Sequence, residues 1–316
     1  MIFQFHRYAV SHIPSHSFMR VANDISRTLN IPIVDYMNMF VYGDTLIHIS
    51  SLIDWQTPFV YPRFRRVLWY VALEYIPFRF YIPPWIKMVT VSKTCARWIK
   101  QAFGFEPDVV YHGIDTNPPT NIPLAEMLRK HIGDFVLYIG SNIFRKGIGP
   151  LIAAMKMLNE EGAKLKLVLV IHQPGENIKF YRPWPIPRYD WIHVVDIDML
   201  PDEDLHAYYE ACRVYVQPSF AEGFGLPPLE ASIHKKPVVL APYDVAYELF
   251  KGYRYIVPPK ATILEPFAHG IFVYRTYSAK DMANKIWDAY NNPDDHLYDY
   301  VANNFSLDTY RKLLDL

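Results

Sequence analysis

The patterning of this chain predicts an α/β protein with parallel sheets, divided into two domains. Short apolar runs alternate with helix-period segments through the second half of the sequence. Those runs are apolar throughout rather than alternating, as strands covered on both faces are. The length of 316 residues exceeds the ~100–200 residues of one ordinary domain.

The elements of the second half follow in order. Residues 135–139, Phe-Val-Leu-Tyr-Ile, make a buried-strand run that ends at Gly140. From Gly147 to residue 158, apolar side chains recur at helical spacing through Ile148, Leu151, Ile152 and Met155, and Pro150 suits a first helical turn. Further strands are predicted at 165–171, 192–195, 213–216 and 237–241. Pro201-Asp202-Glu203-Asp204 opens a helix whose acids favour the positive end of its dipole. Residues 278–291 and 306–315 read as two closing helices, broken at Asn291-Asn292-Pro293.

The first half is less regular. Strands are expected at 2–5, 45–49, 58–61, 86–91 and 109–111, and helices at 18–29, 65–75 and 93–103. Residues 116–121, Thr-Asn-Pro-Pro-Thr-Asn, read as a linker. The expected division is therefore a domain over 1–118 and a second over 119–316.

Composition excludes several function classes. Apolar residues make up 51% and charged residues 20%, unlike a disordered tail. Lys+Arg and Asp+Glu are 32 each, so no net positive charge speaks for nucleic acid. Cys95 and Cys212 are the only cysteines, too few for a disulfide framework or a zinc set, and are expected to be reduced core residues of an intracellular protein. No long apolar segment follows Met1-Ile2-Phe3-Gln4-Phe5, and no run of ~18 apolar residues suggests a membrane span. The 26 prolines against 13 glycines match the loop composition associated with heat resistance.

Residues 218–231, Pro-Ser-Phe-Ala-Glu-Gly-Phe-Gly-Leu-Pro-Pro-Leu-Glu-Ala, carry the strongest chemical signal. They follow a buried strand and open a helix. Pro227 and Pro228 have no N–H, so the amide donors of this turn must come from Gly223, Phe224, Gly225 and Leu226. Such donors at a helix N-terminus suit a diphosphate. Glu222 precedes them, and Glu230 lies one turn beyond Leu226, a rise of ~6 Å. A carboxylate accepts hydrogen bonds from adjacent sugar hydroxyls, so a nucleotide sugar would place its hexose at Glu222 and its ribose at Glu230. The plain alternative is a strand-to-helix turn with two solvent-exposed glutamates. A second loop, Gly140-Ser141-Asn142-Ile143-Phe144-Arg145-Lys146-Gly147, also follows a strand. In open α/β sheets such loops face one crevice, where Arg145 and Lys146 would neutralise a diphosphate; the plain alternative is a solvated surface pair.

The stretch from Glu222 to Glu230 resembles the Glu-x7-Glu signature of GT-B retaining glycosyltransferases of family GT4. Lys236-Pro237-Val238-Val239, the 140–147 loop, Val91-Ser92, residues 111–115 and residues 304–307 resemble further positions of that family. The resemblance is dense from residue 134 onward and fades before residue 89. It implies two Rossmann-like domains with a cleft between them, a shortened N-terminal domain, and a last helix that crosses back to that domain. It implies Glu222 and Lys146 as catalytic residues, the first at the hexose and the second at the diphosphate. Gly140, Ser141, Arg145, Gly223, Phe224, Gly225, Leu226 and Glu230 would complete the donor site. It further implies transfer of a hexose from a UDP- or GDP-sugar with retention, without metal or other cofactor, to a glycan, lipid or protein acceptor in the cytoplasm or at the inner membrane surface.

The sequence departs from the family pattern at three places. Ser141 stands where the family has Arg, with Arg145 as a candidate substitute, and His112 stands where it has Asn. Residues 58–63, where a first-domain His is usual, contain none. His12 and His16, after the first strand, are the candidate acceptor-side residues. These departures keep two other readings open, a non-catalytic sugar-nucleotide binder and a GT-B epimerase or phosphorylase. Finally, residues 63–100 hold eight bases against one acid, Glu74, interleaved with aromatics. Such a stretch suits anionic lipid headgroups, or else a buried aromatic core with a basic rim, or an oligomer contact.

Overall fold

The computed structural model describes residues 4–12, 16–35, 41–52, 63–172, 182–294 and 296–316. The chain divides into two compact units: Met1–Asp115 with Glu265–Phe272 and Asn304–Leu316, and Thr116–Leu264 with Val273–Asn303. A single cut near residue 118 therefore misses the segment Glu265–Phe272, which groups with the first unit.

The first unit is built from β1 (Gln4–His12), α1 (His16–Leu29), β2 (Val41–Ser50), β3 (Phe64–Val71), β4 (Tyr75–Pro77), β5 (Ile86–Thr90), α2 (Lys93–Phe103) and β6 (Asp108–Val109). Its five-stranded sheet has the order β1-β2-β3-β5-β6, with parallel pairs throughout. The helix expected over 65–75 is instead strand β3. Phe64, Val67, Leu68 and Val71 have helical spacing, but the unbroken run Val67-Leu68-Trp69-Tyr70-Val71 is fully buried and paired on both edges. A short apolar run is ambiguous in period, and pairing with β2 and β5 makes it a central strand, which its β-branched and aromatic content suits. The strand expected at 58–61 lies outside the described residues.

The second unit begins with α3 (Ile122–Ile132), β7 (Phe135–Ser141), α4 (Ile148–Glu160), β8 (Lys166–His172) and β9 (Ile192–Asp196). It continues through α5 (Asp202–Ala211), β10 (Val214–Gln217), α6 (Leu226–Ile233), β11 (Val238–Leu240) and α7 (Asp244–Leu249). Its sheet is also parallel, in the order β11-β10-β7-β8-β9. The order reverses between β7 and β10. That switch point is where an open sheet leaves a crevice beyond its strand ends, and the loops after β7 and β10 are the two that carry the motif residues.

The remaining elements are β12 (Ala261–Phe267), β13 (Gly270–Thr276), α8 (Ala279–Asn291), α9 (Leu297–Asn304) and a 3-10 helix over Leu307–Leu313, within the closing helix read over 306–315. Gly270–Phe272 pairs antiparallel with β4, and the Tyr75 ring packs edge-on against Phe267. The 3-10 segment belongs to the first unit, where the Tyr310 hydroxyl donates to the Gly113 carbonyl at 3.3 Å. Gly113 is required there, because a Cβ would stand 2.7 Å from the Ser306 carbonyl oxygen. No described helix is long and apolar enough to cross a membrane.

Candidate functional site

The site in the second unit is organised around Glu222, whose side chain is 5% exposed. Its Oε1 accepts hydrogen bonds from Lys146 Nζ at 2.6 Å, Ser219 Oγ at 2.6 Å and Gln217 Nε2 at 2.9 Å. Its Oε2 accepts from Arg145 at 3.2 Å. Burial by itself would raise the Glu222 pKa; the Lys146 and Arg145 charges and the donated hydrogen bonds overcome it and bring it from 4.5 to about 2. The carboxylate is therefore ionised at neutral pH. Two cations meet one anion, so the cluster carries a net positive charge suited to an anionic ligand.

Backbone contacts hold the two loops in register. The Phe220 N–H donates to the Arg145 carbonyl at 2.7 Å, and the Arg145 guanidinium reaches the Ala221 carbonyl at 3.2 Å. Gly147 has φ +67, and a Cβ there would collide with the Pro218 carbonyl oxygen. The same carbonyl accepts from the Tyr277 hydroxyl at 2.6 Å, and the Arg275 N–H donates to the Phe220 carbonyl at 2.9 Å. Trp184 steadies the loop after β7: its backbone N–H donates to Asn142 Oδ1 at 3.0 Å, its indole N–H donates to the Phe144 carbonyl at 2.9 Å, and its ring stacks on Phe144.

The motif corner itself comprises residues 223–226. Gly225 has φ +95 and forms the N-cap of α6, while Phe224 is buried. Pro227 and Pro228 occupy the first turn of α6 and cannot donate, which leaves its amide donors at the corner. Glu230 is 5% exposed, and its Oε2 accepts from the Tyr209 hydroxyl at 2.7 Å. Both glutamates are buried and bonded, so the solvent-exposed turn is not what the chain forms. Gly140 and Ser141 end β7 at the mouth of the same loop.

The acceptor-side candidates belong to the first unit. His12 ends β1, and His16 begins α1 with its side chain outside the described residues. Residues 58–62 also lie outside the described residues. Sequence reading overlooked His48, which is fully buried in β2 with Nδ1 2.9 Å from Ser11 Oγ. Burial, with the neighbouring His12 charge, lowers its pKa to about 3. Gln217 was likewise passed over. Its signal was faint: a polar side chain at the end of an apolar strand, five residues before Glu222.

A separate groove of about 660 Å³ in the first unit is lined by residues that include Arg65, Arg66, Trp85, Lys87, Phe105 and Asp108, and by none from 140–147 or 218–230.

The profile of the family "Glycosyl transferases group 1" matches residues 127–304, more than half of the chain, and the chain belongs to that family. It is 33% identical over 136 residues to O-antigen chain mannosyltransferase B of Escherichia coli, covering 40% of this chain and 33% of the relative. It is 27% identical over 241 residues to an uncharacterized glycosyltransferase, MJ1607, of Methanocaldococcus jannaschii, covering 72% and 56% respectively. The chain thus spans about a third to about half the length of these curated relatives. Among solved structures, Anabaena Alr3699/HepE in complex with UDP and glucose superimposes with a TM-score of 0.68 at 15% identity, covering 98% of each chain. Sucrose-phosphate synthase from Thermosynechococcus elongatus does so with a TM-score of 0.68 at 13% identity and the same coverage. The fold is accordingly the GT-B fold of these glycosyltransferases.

Proposed function

We propose that the chain is a retaining hexosyltransferase that takes its sugar from a nucleotide-diphospho-sugar. The observation that carries the reading is the cluster of half-buried Lys146 and Arg145 on buried Glu222, beside a glycine corner at the switch point of a parallel sheet. A diphosphate on the 223–226 amides lies against Lys146 and Arg145. The ionised Glu222 then faces the hexose hydroxyls, and Glu230 accepts from the ribose. A relative that is a mannosyltransferase and a structural neighbour bound to UDP and glucose support a hexose donor.

In the proposed step the bond between the anomeric carbon and the phosphate oxygen breaks. Negative charge grows on the departing diphosphate, and the fixed cations stabilise it without reorganising. The acceptor hydroxyl attacks from the face the phosphate leaves. Its oxygen forms the new bond to the anomeric carbon, and its proton passes to the departing phosphate oxygen. Charge stabilisation comes from Lys146 and Arg145, so activity is expected to survive a chelator. The test is nucleoside diphosphate release from a panel of UDP- and GDP-sugars mixed with glycan and lipid acceptors. Release by the wild type but not by Glu222→Gln supports the reading; tight donor binding without release from any combination makes the chain a binder only.

A lipid-linked acceptor is favoured by the first unit's surface. The residue 63–100 stretch separates by burial: Trp69, Tyr70, Tyr75 and Trp98 are core, whereas Phe78, Trp85 and Tyr81 are exposed, Tyr81 to 73%. Lys93, Arg97 and Lys100 share the exposed face of α2. Exposed aromatics beside bases suit an anionic headgroup layer. Flotation with anionic liposomes at low salt is the check, and protein absent from the lipid fraction sinks it.

A further inference from the structure

One buried polar atom beside the donor corner has no partner. Tyr243 is 0% exposed, and its hydroxyl makes no hydrogen bond. It follows β11, whose neighbour β10 feeds the motif loop, and the Ala241 N–H donates to the Gln217 carbonyl at 2.8 Å. The next residue, Asp244, is ion-paired with Arg275 at 2.7 Å, which fixes the start of α7. The hydroxyl is directed at the corner: a Cβ on Gly225 would stand 3.4 Å from it.

An unsatisfied buried hydroxyl costs stability, because it has lost water and gained nothing. Orphaned groups of this kind are uncommon in folded proteins, and each calls for an explanation, one of which is a ligand that completes it; Tyr243 is set apart from the other orphaned atoms by its place against the Gly225 corner. The neighbouring Tyr138 and Tyr277 hydroxyls are both satisfied by backbone carbonyls. Burial and the Glu222 charge hold the Tyr243 hydroxyl protonated, so it is a donor across the working pH range. An acceptor is what it lacks, and the absence of a side chain on Gly225 leaves that acceptor room.

We propose that the Tyr243 hydroxyl is a ligand-binding donor that completes its hydrogen bonding on a phosphate oxygen of the nucleoside diphosphate held at the Gly225 corner. The inference rests on the nucleotide-sugar reading and adds a third loop of the same sheet end to the site. It makes the unliganded protein less stable than it need be, with the deficit recovered on binding.

The test compares wild type with Tyr243→Phe, which keeps the ring and removes only the hydroxyl. UDP and GDP are the probes, read by thermal melting and calorimetry. The unliganded variant is expected to melt at the wild-type temperature or above it, whereas loss of a structural hydrogen bond would lower the midpoint. Its affinity for the preferred diphosphate should fall at least about ten-fold, the lower bound for one hydrogen bond to a charged group. Wild-type affinity in the variant overturns the inference and leaves the nucleotide-sugar reading standing. A loss confined to the complete nucleotide sugar, with bare diphosphates unaffected, moves the contact to the hexose and overturns it too. Failure of the wild type to bind either diphosphate removes the reading and the inference together.

Discussion

The Lys146 ammonium and the Glu222 carboxylate meet at 2.6 Å with both side chains less than one-fifth exposed. They come from loops 76 residues apart in sequence. The pair keeps the carboxylate ionised and, in the proposed reaction, holds the cation where leaving-group charge develops. Substituting Lys146→Ala is expected to lower kcat by about 10²–10³, as loss of one preorganised charge-stabilising donor does. Arg145→Ala should cost less, because its contact with Glu222 is longer, at 3.2 Å. Steady-state rates of nucleoside diphosphate release rank the two; full activity in Arg145→Ala would show that Arg145 does not replace the basic residue missing at Ser141.

The same pair makes a prediction for stability. Lys146→Ala should destabilise the fold toward the low end of the ~3–5 kcal/mol lost when a buried ion pair keeps only one partner, since Arg145, Ser219 and Gln217 stay on the carboxylate. Glu222→Gln in the same background should recover part of that loss. Urea denaturation of the two single variants and the double variant measures the coupling, and strict additivity would contradict it.

Glu222 titrates at about 2 in the folded protein against 4.5 ordinarily. A depressed carboxyl pKa stabilises the fold above pH 4.5, and that stability drains as pH falls toward 2. Glu222→Gln should therefore flatten the stability profile between pH 4.5 and 2. The substitution leaves the profile above pH 5 parallel to wild type.

Histidines of the first unit act over a higher range. Burial lowers His112 from 6.5 to about 3, and His48 behaves likewise. Below pH 6.5 the unfolded chain takes up protons that these buried rings refuse, so stability falls with pH from 6.5 toward 3. Each contributes a slope of ~1.4 kcal/mol per pH unit within that window. His112→Asn should reduce the slope by one proton, as chemical denaturation at stepped pH would show. An unchanged slope would mean that the His112 ring gains a proton in the fold as readily as in the unfolded chain.

Gly147→Ala adds a methyl group against the Pro218 carbonyl at a φ of +67. The left-handed backbone alone costs about 1 kcal/mol for a residue with a Cβ. The collision separates the two loops, so donor affinity should fall more than global stability does. Melting temperature and donor titration measured together distinguish the two effects, and wild-type affinity would show that the loops do not need this contact.

Much of the second unit could be read from residue order. Its central strands are contiguous apolar runs and several of its helices carry 3.6-residue periodicity, so local pattern and final environment agree there; the edge strand β9 is the exception, half-exposed despite its apolar residues. The first unit was harder. Val67–Val71 has an apolar content that either element could bury, and only its pairing with β2 and β5 made it a strand. The loop residues were legible because glycine and proline positions restrict the backbone locally. The partners of Glu222 were less so: Ser219 and Gln217 are ordinary polar residues until the strand end turns them toward one carboxylate.

By itself, then, the order of residues determined the alternation of strands and helices, the glycine corner with its flanking glutamates, and the balance of charge, because each depends on neighbours a few positions away. Tertiary structure alone decided that Lys146 and Arg145 converge on the buried Glu222 carboxylate, that residues 265–272 group with the first unit, and that the Tyr243 hydroxyl lacks a partner. Those facts depend on which distant segments pack together, and burial sets their energies by removing the water that would otherwise satisfy every charge and hydroxyl.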